Sequence, residues 1–126
     1  MSVQEKVREF HKVFGHPDRL GKVPRVTEDR KAQRWNLIDE EVNTELADAL
    51  WVNDIIEVAD ALGDAVYVLY GTAIEFGIDL DQVIDEIHAS NMSKDINGLG
   101  KPIKGERFFE PNIIRALNTV QARSEE

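Results

Sequence analysis

The stretch Asp54 to Phe76, DIIEVADALGDAVYVLYGTAIEF, decides the fold, because it reads as a helix that is apolar almost all the way round except for one line of acids. Glu57, Asp60 and Asp64 stand at i, i+3 and i+7 and share one stripe, which Tyr67, Gly71 and Glu75 continue. Ile55, Ile56, Val58, Leu62, Val66 and Leu69 lead the remaining faces, so the helix is expected to be surrounded by other helices.

Carboxylates inside a packed bundle need a counter-charge, since an uncompensated buried ion costs several kcal/mol, a large share of a small domain's stability. From Asn36 to Ser93 the chain carries fourteen Asp or Glu residues and no Lys or Arg, although it has 24 acids and 15 bases in all. Positive charge must therefore come from bases in the flanking segments or from hard divalent cations, which take oxygen ligands.

The 126 residues are expected to form one domain over 1–126, long enough for a hydrophobic core. A net charge of -9 argues against a nucleic-acid backbone or an anionic membrane as a direct partner. With no cysteine, neither a disulfide frame nor a thiolate metal site is available. The N-terminal MSVQEKVREFHKVF lacks the apolar run of a signal peptide, and the most apolar helix is interrupted by acids. A cytoplasmic protein is the expectation.

Val3, Val7, Phe10 and Phe14 mark a short amphipathic first helix ended by Gly15. The loop HPDRLGKVPRVT follows, and Arg19, Lys22, Arg25, Arg30, Lys31 and Arg34 concentrate positive charge around it. Most of these are expected on a solvated surface, with one or two in reach of a phosphate. Thr27 is placed to cap a second helix that runs to about Leu50 with Trp35, Ile38, Val42, Leu46 and Ala49 as its apolar stripe. Glu41, Glu45 and Asp48 share a neighbouring line, and Glu40 lies one step round.

An acidic helix face is by itself most often solvated. Here the short connection Trp51-Val52-Asn53 makes the two long helices antiparallel neighbours, so Glu41 and Glu45 come level with Glu57 and Asp60. Four carboxylates converging on one place suit Mg²⁺ or Mn²⁺. Trp35, Trp51 and Tyr67 could stack on a base, but on apolar helix faces they are assigned to the core.

The runs LIDEEVNTEL, EVADALGDAVYVLYGTAIEFGIDL and DEIHASNMSK resemble the all-α nucleoside triphosphate pyrophosphohydrolases, the superfamily of MazG, dimeric dUTPases and phosphoribosyl-ATP pyrophosphohydrolase. The similarity covers roughly Arg34 to Phe109 and is strongest to the phosphoribosyl-ATP pyrophosphohydrolase-like branch. That family's mark is Glu-x-x-Glu on one helix and Glu-x-x-Asp on the next, holding Mg²⁺. The second half is intact as Glu57-Val-Ala-Asp60, whereas Glu41 and Glu45 are four apart rather than three. Both spacings keep two side chains on one face.

The resemblance implies an all-α, MazG-like antiparallel bundle of about five helices, completed by oligomerisation into a homodimer or homotetramer. It implies Mg-dependent hydrolysis of a (d)NTP to (d)NMP and pyrophosphate. Glu41, Glu45, Glu57 and Asp60 are then the metal ligands, Glu40 and Glu41 the catalytic carboxylates that take a proton from water, and Asp64 a supporting carboxylate behind them. Asn91 and Lys94 match positions near the nucleotide and its phosphates, while Lys101 and Lys104 are substrate-binding candidates from the basic loop of residues 95 to 110 and not from the resemblance.

Asp79-Leu80-Asp81-Gln82 opens a further helix with Leu80, Val83, Ile84 and Ile87 on its buried face. His88 near its end is expected to be structural rather than a ligand. Asp95 to Glu110 reads as a glycine-bearing basic loop, either a lid over phosphates or a connector. Pro111 is placed to start a last helix with Ile113, Ile114 and Leu117 buried, before a fraying ARSEE.

Competing readings are a di-iron carboxylate bundle, a metal-dependent or nucleotide-binding regulatory module without turnover, and phosphoribosyl-ATP as the substrate. The first requires two Glu-x-x-His pairs, which the chain lacks.

Overall fold

Side-chain caps set where the helices begin. Ser2 accepts the Glu5 N–H, Thr27 the Arg30 N–H, Asp54 the Ile56 N–H and Asp79 the Gln82 N–H. In this computed structural model, which describes residues 1–117, they open α1 (Val3–Phe14), α2 (Glu28–Ile38), α4 (Ile55–Glu75) and α5 (Leu80–Met92). Between α2 and α4 the helix runs on as a π-helical segment, Asp39–Leu46, and a last short piece, α3 (Ala47–Ala49). The fold is all-α, with one small antiparallel hairpin of β1 (Asp95–Ile96) and β2 (Pro102–Ile103) inside the expected 95–110 loop.

The second helix therefore starts at the expected Thr27 cap and ends close to Leu50, but the expected α-helix is replaced by a π-helix where the acids lie. Gly15, with φ 71°, closes α1 by donating its N–H to the His11 carbonyl. The front of the following loop is not a free surface loop. The Arg19 N–H donates to the Ile74 carbonyl, and a Cβ at Gly77 (φ +76°) would meet the Arg19 and Lys22 carbonyls at 2.8 Å.

Arg34 and Glu75 are the buried charges that join α2 to α4. Glu75 accepts from Arg30 Nε and Nη2, each at 2.8 Å, and from Arg34 Nη1 at 3.1 Å. Arg34 also donates to the Thr72 hydroxyl and the Val68 carbonyl, so both sides of the contact are satisfied. Arg34 is thus buried and Arg30 half-buried, apart from the solvated surface expected for most of the bases around them, and Glu75 on the stripe of α4 is neutralised by bases from a flanking segment, one of the two expected sources of counter-charge. Gly71 is needed here, because a Cβ would lie 2.6 Å from Arg34 Nη2 and 2.9 Å from His11 Nε2. His11 is itself buried, with Nδ1 2.8 Å from the Pro17 carbonyl, and burial lowers its pKa.

The core of the chain is small and built largely from Val7, Ala49, Ala61, Ala65, Ala73 and Ile74. α1 and the α2 to α3 run cover two sides of α4, and α5 meets its end through Tyr70, whose hydroxyl donates to Asp81. The rest of α4 is bare, with Ile55, Ile56, Leu62, Val66 and Leu69 exposed, so the expectation of a fully surrounded helix fails within one chain. Trp35 and Trp51 are 57% and 87% exposed, and Tyr67 is just over one-third exposed at the edge of the Phe10 ring; the two tryptophans are not core. Periodicity reports that a face is apolar, not which chain covers it.

Residues 113–117 are helical, but Ala116 rather than Ile113, Ile114 or Leu117 is their buried residue, and Asn112 accepts the Arg115 N–H. On α5 the expected apolar face is half-buried apart from an exposed Ile84. The ARSEE terminus lies outside the described residues. Among the described residues, no single helix is long and apolar enough to cross a membrane.

Gly71→Ala is expected to displace the Arg34 guanidinium and cost about 1–3 kcal/mol in urea unfolding, the usual range for overpacking. Gly63 has nothing within 4 Å of its virtual Cβ, so Gly63→Ala should instead gain up to about 1 kcal/mol from helix propensity. Equal effects of the two substitutions would contradict the close approach at Gly71.

Candidate metal centre

The antiparallel pairing that begins at Arg34 and Glu75 carries on toward the Leu50 to Asp54 turn. Arg34 meets Val68 and Thr72, Glu41 feels the charge of Asp64, and Asp64 that of Glu45. Nearer the turn, Glu45, Asp48, Ala49 and Val52 face Glu57, Asp60 and Ala61 across a cleft of about 370 Å³. The lining of this cleft contains no Lys or Arg.

On the π-helical segment, carboxylate oxygens of Glu40, Glu41 and Glu45 all lie within 4.8 Å of one another. Glu45 thus belongs both to this triad and to the cleft wall opposite Glu57 and Asp60. Within each of these groups the structure brings together the acids singled out by sequence. Asp64, expected behind the ligands, acts directly on Glu41, and Asp48 joins the wall.

Glu41 is the most perturbed of them. Its carboxyl is pushed up to about 7 by burial, by a hydrogen bond with Glu45 that only the protonated form can make, and by the charges of Glu45, Asp64 and Glu40. Asp64 is also raised, by burial and then by Asp60 and Glu45. The Glu41 Oε2 atom is buried with no hydrogen-bond partner. An orphaned carboxylate oxygen amid other carboxylates is a poor protein environment and a good one for a hard divalent cation, since every donor is oxygen. The residue set fits a hard divalent cation.

None of Asn91, Lys94, Lys101 and Lys104 lines the cleft. Lys104 pairs weakly with Glu110 at 3.5 Å and sits 5.0 Å from the Phe108 ring centroid, while Lys94 is half-buried at the end of α5. Ser90 and Ser93 anchor the segment beyond the hairpin through the Phe109 carbonyl and N–H. His88 is exposed and outside the acid cluster.

An all-α fold with carboxylates from two antiparallel helices facing one cleft defines a helical protein of the pyrophosphohydrolase type. Residues 7–91 match the phosphoribosyl-ATP pyrophosphohydrolase family, and the chain belongs to that family, within the all-α NTP pyrophosphohydrolase superfamily with MazG-like members. It is also similar to the uncharacterized protein L479 of Acanthamoeba polyphaga mimivirus, 40% identical over 80 residues. That match covers 61% of this chain and 32% of the viral protein, so the chain spans about a third of that relative's length.

The raised Glu41 carboxyl gives a signed pH dependence. Its folded pKa of about 7 stands above the ordinary 4.5, so its contribution to stability is full below pH 4.5 and is lost as pH rises through 7. Without divalent cation, Glu41→Gln should melt close to the parent at pH 5 and about 3 °C or more above it at pH 8. Mg²⁺ at pH 8 should raise the parent and leave the variant nearly unchanged. A melting difference that is independent of pH would contradict the perturbed carboxyl.

Proposed function

We propose that this protein is a Mg²⁺-dependent nucleoside triphosphate pyrophosphohydrolase, releasing nucleoside monophosphate and pyrophosphate from (d)NTPs. The observation that carries the reading is the buried, unpartnered Glu41 Oε2 inside the triad with Glu40 and Glu45, on the helix that faces Glu57 and Asp60. Glu41, Glu45, Glu57 and Asp60 hold the cation in this reading, with Asp64 supporting Glu41. A cation held there supplies charge neutralisation for the phosphate chain and Lewis-acid polarisation of its oxygens.

Glu40, an exposed member of the triad, takes a proton from the attacking water, with Glu41 as the second proton acceptor. The water oxygen bonds to one of the phosphorus atoms flanking the α–β bridge, and that bridge bond breaks. The bridging oxygen leaves on the other product. Lys94, Lys101 and Lys104, with Asn91, contact the nucleotide and its distal phosphates. The exposed Lys104–Glu110 pair is readily exchanged for a phosphate contact. The reading includes a cytoplasmic location.

Phosphoribosyl-ATP is the second reading of the substrate, favoured by the description of the matching family. The same anhydride chemistry applies to both. Turnover is tested by pyrophosphate release from a panel of ribo- and deoxynucleoside triphosphates and phosphoribosyl-ATP, with Mg²⁺, Mn²⁺ or chelator. Metal-dependent release is expected, and Glu57→Gln should lower it by about a hundredfold or more, as loss of a general or metal-assisted contribution does. Saturable nucleotide or metal binding without release from any substrate would replace the enzyme with a regulatory binding module.

The reading includes a homodimer or homotetramer. Its support is the exposed apolar surface of Ile55, Ile56, Leu62, Val66 and Leu69 on α4, with Trp35 and Trp51 also bare. Sedimentation should give a multiple of 14.3 kDa at micromolar concentration; a monomer alone would refute the assembly.

A further inference from the structure

One helix alone supplies Glu40, Glu41 and Glu45 to the triad, and an ordinary α-helix could not do so. At about 100° per residue, Glu41 and Glu45 would stand about 40° apart, but Glu40 and Glu45 about 140° apart, on nearly opposite sides. Yet oxygens of all three lie within 4.8 Å. The segment that carries them is π-helical from Asp39 to Leu46, flanked by α-helical backbone at Ile38 and Ala47. Its i→i+5 hydrogen bonds enclose more residues per turn and bring residue i+5 back toward the face of residue i. Glu45 then falls between Glu40 and Glu41 instead of beyond Glu41.

A π-helix is rare, is generally a single-turn insertion in an α-helix, and concentrates at functional sites. Here it coincides with the acids and ends where the α-helix resumes, with the Leu50 N–H donating to the Leu46 carbonyl. We propose that Asp39–Leu46 holds one residue more than its α-helical path needs, that Thr44 is the spare one, and that this π register is what positions Glu40 on the cation-facing side. The proposal rests on the reading of the acid cluster as a cation site. Thr44 is singled out because its side chain is exposed, whereas the neighbouring Asn43 amide donates to the Asp39 carboxylate at 3.1 Å.

Deleting Thr44 would let the segment become α-helical without scattering the acids. The last glutamate would then follow Glu40 by four residues and Glu41 by three, about 40° and 60° away, again between them. Deleting Ala47 shortens the chain equally, outside the acid spacing. It leaves Glu40 and Glu45 five apart, and relaxation to an α-helix separates them.

The test is Mn²⁺ binding, followed by electron paramagnetic resonance, to the parent and to the two deletion variants. The Thr44 deletion is expected to bind within about threefold of the parent, and the Ala47 deletion about tenfold or more weaker, the scale on which mispositioned ligand shells lose metal. Equal loss in both, or parent-like binding by the Ala47 deletion, overturns the proposal.

If the Ala47 deletion does not fold, Glu40→Gln decides in its place. Glu40 is not a ligand in the proposed reading but acts on the cation through its bound water, so its loss should weaken Mn²⁺ binding as loss of an outer-shell partner does, about tenfold, to the same extent in the parent and in the Thr44 deletion; no effect in either overturns the positioning of Glu40. If no form binds Mn²⁺, the cation reading falls, and backbone NMR shifts of the Thr44 deletion then judge the register by itself. α-Type shifts through the segment with unchanged Ile55–Glu75 resonances support the spare residue. Displaced α4 resonances overturn it.

Discussion

The buried contact of Arg34 and Arg30 with Glu75 sets how α2 lies along α4, and the acidic site depends on that register. A guanidinium satisfied by Glu75, Thr72 and Val68 has little freedom to slide, because moving one turn would strand a buried carboxylate. Stranding one partner of such a pair costs about 3–5 kcal/mol. Glycine at position 71 is what lets the guanidinium approach the helix backbone so closely. From this anchor the antiparallel pairing runs on through Glu41 with Asp64 to Glu45 and Asp48 opposite Glu57 and Asp60.

The acid stripe of α4 is consequently compensated in two different ways. At its C-terminal end the arginines of α2 reach Glu75 and make a structural contact. Toward the N-terminal end they cannot reach, and the intervening chain from Asn36 to Ser93 contains no base to replace them. Burial and mutual repulsion then raise the Glu41 and Asp64 carboxyls, and at Glu41, pushed up to about 7, part of the negative charge is given up for a proton. A divalent cation relieves the same strain with the charge retained, which is why a cluster that is a poor core is a suitable metal centre.

The small alanine-rich interior bears on both features. Ala61 and Ala65 lie buried on α4 between Glu57 and Tyr67, on the face that meets neighbouring elements. Small side chains permit close approach of the helices and bring short carboxylates within reach of one another. Their limited apolar area also means that the single chain buries little, and its isoleucines and tryptophans on α4 and beside it are left bare.

Much of this was legible from residue order alone. The caps at Thr27 and Asp79, the long apolar helix, the antiparallel turn, and the lines through Glu41, Glu45, Glu57 and Asp60 follow from local periodicity and turn chemistry, which neighbours in the chain determine. The counting of charges likewise showed that the acids needed help from outside their own segment. Tertiary structure decided which help went where: that Arg34 is spent on Glu75, that Asp64 presses on Glu41, and that Trp35 and Trp51 face outward. It also decided the π register, because a helix-period reading assumes one rise and one rotation per residue, whereas the real backbone absorbed an extra residue to keep three acids together. Those outcomes depend on packing between segments distant in the chain, which local sequence patterns do not encode.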